Sequence, residues 1–258
     1  MPTEQLREAW ARDEPVLLGW LLLEGPSSAG VVAGAGFDAV VLDLQHGSAT
    51  IEVAGDVFAA VEVAGAVPLA RPRWNDPGEI MRLLDLGARG IVSPMVSTRA
   101  EAASLAAACR YPPEGVRSFG PVRGALGSGA EQVRRANEAI VVLAMIETAE
   151  GFRNLDEIAS MPGIDGLYVG PADLSLGLGL STLADLDDPE LLVALDTIVT
   201  AARRHGVVPG VHAPSPERAI RMIELGFRLV CPAVDADTLG SSAAAAVRAT
   251  RDGLGSAG

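Results

Sequence analysis

Eight short apolar runs, each followed by a stretch with helical spacing, constrain this chain more than anything else in it. The runs fall at 15–23, 39–45, 67–71, 90–95, 140–146, 166–169, 207–212 and 228–234. They are continuous rather than alternating, as expected of strands covered on both faces, which points to a parallel sheet. Helical spacing over 51–64, 76–86, 98–110, 149–160, 189–205, 215–225 and 236–251 separates or follows them. Two helix starts carry explicit signals: Asn75-Asp76-Pro77, and Thr98 with Glu101 three residues on, a capping box. Eight such units predict an α/β fold, a (β/α)8 TIM barrel with an eight-stranded parallel core, formed as a single domain over 1–258. An open doubly wound sheet is the alternative, but the first run leads into Gly25-Pro26-Ser27-Ser28-Ala29-Gly30 and not into a GxGxxG phosphate turn. The Gly- and Pro-rich segment 111–129 breaks the rhythm as a long functional loop, and the tail after Asp252 is expected to fray.

Several classes of function are excluded early. All 20 basic residues are Arg, so a Schiff-base lysine, a pyridoxal-phosphate anchor and a Walker lysine are absent. A formal charge of −13 argues against nucleic acid and anionic lipid as partners, leaving small molecules or other proteins. No run reaches the 18 or so apolar residues of a membrane span, and the chain reads as soluble and cytoplasmic. Cys109 and Cys231 are isolated and are read as buried thiols.

In a parallel barrel the chemistry gathers at the C-terminal ends of the strands. The polar residues there are Asp43, Gln45 and His46, then Arg71, Glu147, Asp173 and His212. Glu147 and Asp173 end neighbouring runs joined by a helix, so the two carboxylates emerge on one edge and can share a hard cation, Mg2+ or Mn2+. The plain alternative is two solvated carboxylates at helix starts. Gly170 and Pro171 turn the chain tightly off its strand and leave the amides near Ala172 and Asp173 free to grip an anion. Asp43 and His46 form a DxxH pair, in which a carboxylate can orient an imidazole for proton transfer. Arg71 is a fixed cation suited to a carboxylate or an enolate oxygen, or to an ion pair with a neighbouring carboxylate. His212 is read as structural. Arg117 and Arg123 in the long loop are candidates for guiding an anionic substrate.

Taken together, the stretches FDAVVLDLQHG, RPRWNDP, LLDLGARGIVSPMV and MIETAEGFRNLDEIASMPGIDGLYVGPADLS, and less closely YPPEGVRSFGP, resemble the HpcH/HpaI family of metal-dependent class II aldolases. The resemblance implies a barrel whose last helix can be exchanged between subunits, in a homo-oligomer, a trimer or hexamer. It implies a divalent ion, Mg2+, Mn2+ or Co2+, held by Glu147 and Asp173. It further implies a 2-oxo acid that chelates the ion with its carboxylate on amides near Ala172, Arg71 at the enolate oxygen, His46 moving the proton with Asp43 behind it, and Asp85 reaching an adjoining subunit's site. The expected reaction is reversible cleavage of a 4-hydroxy-2-oxo acid to pyruvate and an aldehyde. A related lyase or decarboxylase acting on oxaloacetate or a malyl or citramalyl thioester is the alternative, and a non-catalytic 2-oxo-acid-binding paralogue a third reading. Two positions depart from the family pattern: Gln45 replaces a Glu, and Met145 replaces a Gln two residues before Glu147. With no lysine to form an imine, a metal is the remaining familiar electron sink for a pyruvate enolate.

Overall fold

Each apolar run hydrogen-bonds to the run before it and the run after it, and the last pairs with the first. A computed structural model describes residues 2–120 and 130–255 of the chain. Its strands are β1 (Val16–Leu21), β2 (Ala39–Asp43), β3 (Val67–Arg71), β4 (Gly90–Ser93), β5 (Val141–Ile146), β6 (Gly166–Val169), β7 (Val208–His212) and β8 (Leu229–Val234), all parallel in a closed barrel of that order. Pairing of Val16 with Leu229 and Trp20 with Val234 closes the ring and rules out the open doubly wound sheet. Around the wall run α2 (Pro26–Ala33), α3 (Ile51–Val63), α4 (Pro77–Leu86), α5 (Arg99–Ala108), α6 (Ala130–Ala139), α7 (Ala149–Arg153), α8 (Leu155–Ala159), α9 (Pro171–Leu178), α10 (Pro189–His205), α11 (Pro216–Leu225) and α12 (Asp235–Gly255).

Strand side chains alternate between two apolar layers, which is why the runs read as continuous. Val40, Leu42, Val142, Ile146 and Val230 face outward into the layer shared with the helices. Val41, Leu69, Leu143, Met145, Tyr168 and Leu229 face inward and fill the barrel. Extending the inward parity to the strand ends brings up Trp20, Asp43, Arg71, Glu147, Gly170 and His212. The apolar filling of the barrel thus gives way to polar groups at its C-terminal mouth.

The structure departs from expectation at several boundaries. The helix Pro2–Ala11, α1, was not signalled, because Leu6, Ala9 and Trp10 are its main apolar positions. It plugs the opposite mouth, with Leu6 buried in the inner layer, Trp10 Nε1 donating to the Arg228 carbonyl at 3.1 Å and Arg7 to Asp165 at 2.7 Å. Helices α6 and α9 were likewise not delimited. The helix expected over 149–160 is divided at Asn154 into α7 and α8. Strand β2 stops at Asp43 because its Oδ1 accepts the following Gln45 and His46 amides, a turn that ends pairing. Helix α12 runs to Gly255, past Asp252, and 256–258 lie outside the described residues. The predicted starts hold: Asp76 caps α4 at the Glu79 amide, and Thr98 and Glu101 form the capping box of α5. Cys109 and Cys231 are both buried free thiols, and burial pushes each up to about 12. Among the described residues no helix is long and apolar enough to cross a membrane.

Candidate active site

The mouth is organised around a buried ion pair. In the β2–β3 register Asp43 lies beside Arg71, and the guanidinium meets the carboxylate through two bonds, Nε to Oδ1 at 2.8 Å and Nη2 to Oδ2. Trp20 Nε1 donates to Oδ2 at 3.1 Å, and the amides of Gln45 and His46 donate to Oδ1 at 2.9 and 3.2 Å. Burial pushes the Asp43 carboxyl up, but Arg71 and these donors outweigh it and hold the group below the usual carboxylate range. The Arg71 guanidinium also lies over the Trp20 ring, 4.9 Å from its centre. Asp43 was expected to orient the His46 imidazole directly. Its oxygens are instead taken by Arg71, Trp20 and two amides, so its hold on exposed His46 runs through the backbone.

Across the mouth stands Glu147, just past β5 and only 3% exposed. The Met95 amide donates to its Oε1 at 2.6 Å. Met95 adopts φ 58°, the left-handed region, which turns the chain after β4 toward the carboxylate. Burial is the main reason the Glu147 carboxyl is pushed up to about 7; Met95 opposes the shift, nearby Asp173 adds to it and Arg71 offsets part. Asp173 is exposed in the first turn of α9, which has Gly170 as N-cap, Pro171 at its first position and no side-chain cap on its leading amides. Gly170 is needed here for space: a Cβ would stand 2.8 Å from Glu147 Oε2 and 3.4 Å from Met145 Cε. Met145 itself is buried in the apolar layer one step below Glu147.

The structure therefore gathers Asp43, Arg71, Glu147, Asp173 and Gly170 at one mouth, framed by Gln45 and His46 on the loop after β2 and by Pro171 and Ala172 in the first turn of α9. Asp85 does not join them within one chain. It lies on α4, where Arg117 Nη2 donates to Oδ1 at 2.8 Å. Arg117 is buried, with its guanidinium 4.5 Å from the centre of the Tyr111 ring, so it fastens the 111–120 loop and is not a free cation at the mouth. Arg123 lies outside the described residues.

Trp20 was not among the residues expected at the mouth. Trp20 sat inside an apolar run, and only its inward parity marks it. His212, read as structural, packs edge-on against Trp20 at 5.3 Å and faces Arg71 and Asp43; burial, then Arg71, pushes it down to about 4, so the imidazole is neutral at physiological pH.

The family model described as HpcH/HpaI aldolase/citrate lyase matches residues 17–241. The chain belongs to this family. It is 42% identical over 239 residues to a hydroxypyruvate/pyruvate aldolase of Rhizorhabdus wittichii, covering 93% of this chain and 95% of that protein. It is 36% identical over 245 residues to the 4-hydroxy-2-oxo-heptane-1,7-dioate aldolase of Salmonella typhimurium, covering 93% and 91%. A crystal structure of an HpcH/HpaI aldolase/citrate lyase family protein from Burkholderia cenocepacia matches with a TM-score of 0.85 at 30% identity, covering 96% of this chain and 98% of that one. HpcH/HpaI aldolases are metal-dependent, and the residues present suit a hard divalent ion. Glu147 is a buried carboxylate with Asp173 as a second anion close by, an arrangement that a cation relieves. Among the described residues no cluster of three or more His, Cys, Asp or Glu could hold an ion. Glu147 and Asp173 would hold such an ion, and water or a chelating substrate would complete the shell.

Proposed function

We propose that this HpcH/HpaI-family chain is a divalent-metal-dependent aldolase that reversibly cleaves a 4-hydroxy-2-oxo acid to pyruvate and an aldehyde. The observation that carries the reading is the buried Glu147, with Asp173 beside it, standing opposite the Asp43–Arg71 pair in a chain without lysine. Bound by Glu147 and Asp173, a divalent ion such as Mg2+, Mn2+ or Co2+ would supply the Lewis acid that polarises the 2-oxo group. The uncapped amides at Ala172 and Asp173 suit the substrate carboxylate. Arg71, held rigid by Asp43 and Trp20, presents fixed positive charge to the oxygen that becomes the enolate. His46 takes the proton of the 4-hydroxyl, directly or through water. The C3–C4 bond then breaks with its electron pair passing into the C2–C3 enolate, and the aldehyde leaves. Return of a proton to C3 gives pyruvate. Apolar Met145 and neutral Gln45 act on substrate preference from beneath and beside this centre. A homo-oligomer is supported by α12, which is exposed on every residue from Asp237 to Leu254 and offers a helix for a neighbouring copy to cover.

The test is pyruvate release from a 4-hydroxy-2-oxo acid before and after EDTA. Turnover is expected to fall to background on chelation and to return with Mg2+ or Mn2+; cleavage that survives complete metal removal would overturn the reading. A second outcome follows from the space at Gly170. Gly170→Ala is expected to push the Glu147 carboxylate aside and weaken metal affinity about 10- to 100-fold. Melting temperature should barely move, because the displaced atom is the tip of a side chain. Calorimetric Mn2+ titration beside a thermal melt checks both.

A further inference from the structure

The loop carrying His46 is gripped from two directions, and one grip leads away from the mouth to the root of α12. Asp235, the first residue of α12, is 8% exposed. Its Oδ1 accepts the Leu22 amide at 2.8 Å and its Oδ2 the Leu23 amide at 3.0 Å, with the Ala236 amide adding a bond to Oδ1 at 2.7 Å. The Leu22 carbonyl in turn accepts the Ser48 amide at 2.7 Å and the Ser48 hydroxyl at 3.1 Å. Ser48 Oγ also accepts the Glu24 amide at 2.9 Å. Between these anchors Gly47 is packed so closely that a Cβ would stand 2.2 Å from the Asp43 carbonyl oxygen and 3.1 Å from that of Leu22. The segment 45–48 is therefore fixed at its start by Asp43 and at its end by Leu22, while Leu22 is fixed by Asp235. The exposed His46 side chain depends on this backbone for its place.

We propose that Asp235 is a positioning residue for His46, setting the place of the imidazole through the Leu22 and Leu23 amides and the bonds from Leu22 to Ser48. The role rests on the reading of His46 as the proton-moving group. Asp235 touches no reacting atom; it joins the end of β8 to the end of β1 and, through Ser48, to the β2 loop. Two adjacent amides are best met by a carboxylate, because both oxygens accept. An amide side chain would turn an N–H against one of them and lose that bond.

The experiment compares Asp235→Asn with wild type in the full-length, Mg2+-loaded protein. A misplaced catalytic group lowers kcat about 10- to 100-fold, and KM and Mg2+ affinity are expected to stay at wild-type values. The His46 ring signals in NMR, assigned with His46→Gln, should shift, while those of His205 stay. Ser48→Ala removes the hydroxyl bonds to the Leu22 carbonyl and the Glu24 amide but keeps the Ser48 amide on Leu22, so it should move the same His46 signals by a smaller amount, and the two losses in kcat should be less than multiplicative in the double variant. Should Asp235→Asn fail to fold, Ser48→Ala alone reads the path. Thr238→Val removes a hydroxyl bonded to the Val234 carbonyl at 2.8 Å at the same helix root, and it should leave His46 unmoved. A lower melting temperature with unchanged His46 signals and unchanged kcat would overturn the proposal. Full turnover in His46→Gln would instead remove the role of His46, while the ring signals would still report whether Asp235 sets its place.

Discussion

Glu147→Gln is expected to abolish turnover while making the metal-free protein more stable above neutral pH. The two effects have one cause. Glu147 is buried beside another carboxylate, so its proton is held up to about 7 in the folded chain against an ordinary 4.5. A folded-state value above the unfolded one means that the native state binds the proton more tightly between those limits. Stability contributed by this group is therefore fully present below about 4.5 and declines as pH rises towards about 7. Above that the ionised carboxylate costs on the order of 3 kcal/mol. Gln removes this cost with nearly the same shape and can still accept the Met95 amide. Thermal melts of chelated protein at pH 6 and pH 8 should show the variant gaining on wild type at the higher pH. Pyruvate release in the same variant should fall by about three orders of magnitude, because a neutral amide is a poor ligand for a hard cation. A variant that loses stability at pH 8 would contradict the electrostatic account.

Arg71→Ala is expected to be damaging in both respects. It leaves the Asp43 carboxylate buried without its cation, and breaking one side of a buried pair costs about 3–5 kcal/mol. It also removes the fixed positive charge facing Glu147 and the contact with the Trp20 ring. Arg71→Lys keeps a charge but not the two-point fork, so it should recover part of the stability and little of the turnover. Replacing both partners, Asp43→Asn with Arg71→Met, should restore more stability than either single change permits while leaving the protein inactive. Urea unfolding checks the stabilities, and pyruvate release checks the turnover.

These expectations draw on different amounts of sequence. The barrel was legible because a strand covered on both faces must be apolar throughout, and eight such runs stand out even where a boundary moves by two residues. The nearness of Glu147 to Asp173 was legible for a related reason: two strands joined by a helix emerge on one edge, with Glu147 just past β5 and Asp173 in the first turn after β6. An ion pair of Arg71 with some neighbouring carboxylate was an open reading, but that its partner is Asp43 was not legible. That pairing depends on the β2–β3 register, which no local signal fixes, and the sequence suggested His46 for Asp43 because it is near in the chain. Trp20 was hidden because an aromatic residue in an apolar run looks like core, as it largely is. The Met95 amide that grips Glu147 comes from a turn with a left-handed residue other than glycine, for which the sequence carries no mark. Helix α1 escaped because its partners, Asp165, Arg228 and the carbonyl of Ile140, are all remote in the chain.

The departure at Met145 takes on a physical meaning in the structure. Its side chain belongs to the apolar floor of the mouth, beneath Glu147 and against the space that Gly170 keeps open. A polar residue there would offer the substrate a hydrogen bond. Met offers only shape and no such bond.

In the proposed reaction Glu147 and Asp173 together hold the ion on which the 2-oxo acid is activated. A crystal soaked with Mn2+ and pyruvate tests it most directly, with anomalous scattering locating the ion. The ion is expected to be bound by both carboxylates, with pyruvate on its open face towards Arg71. An ion bound elsewhere, with pyruvate away from Arg71, would contradict it.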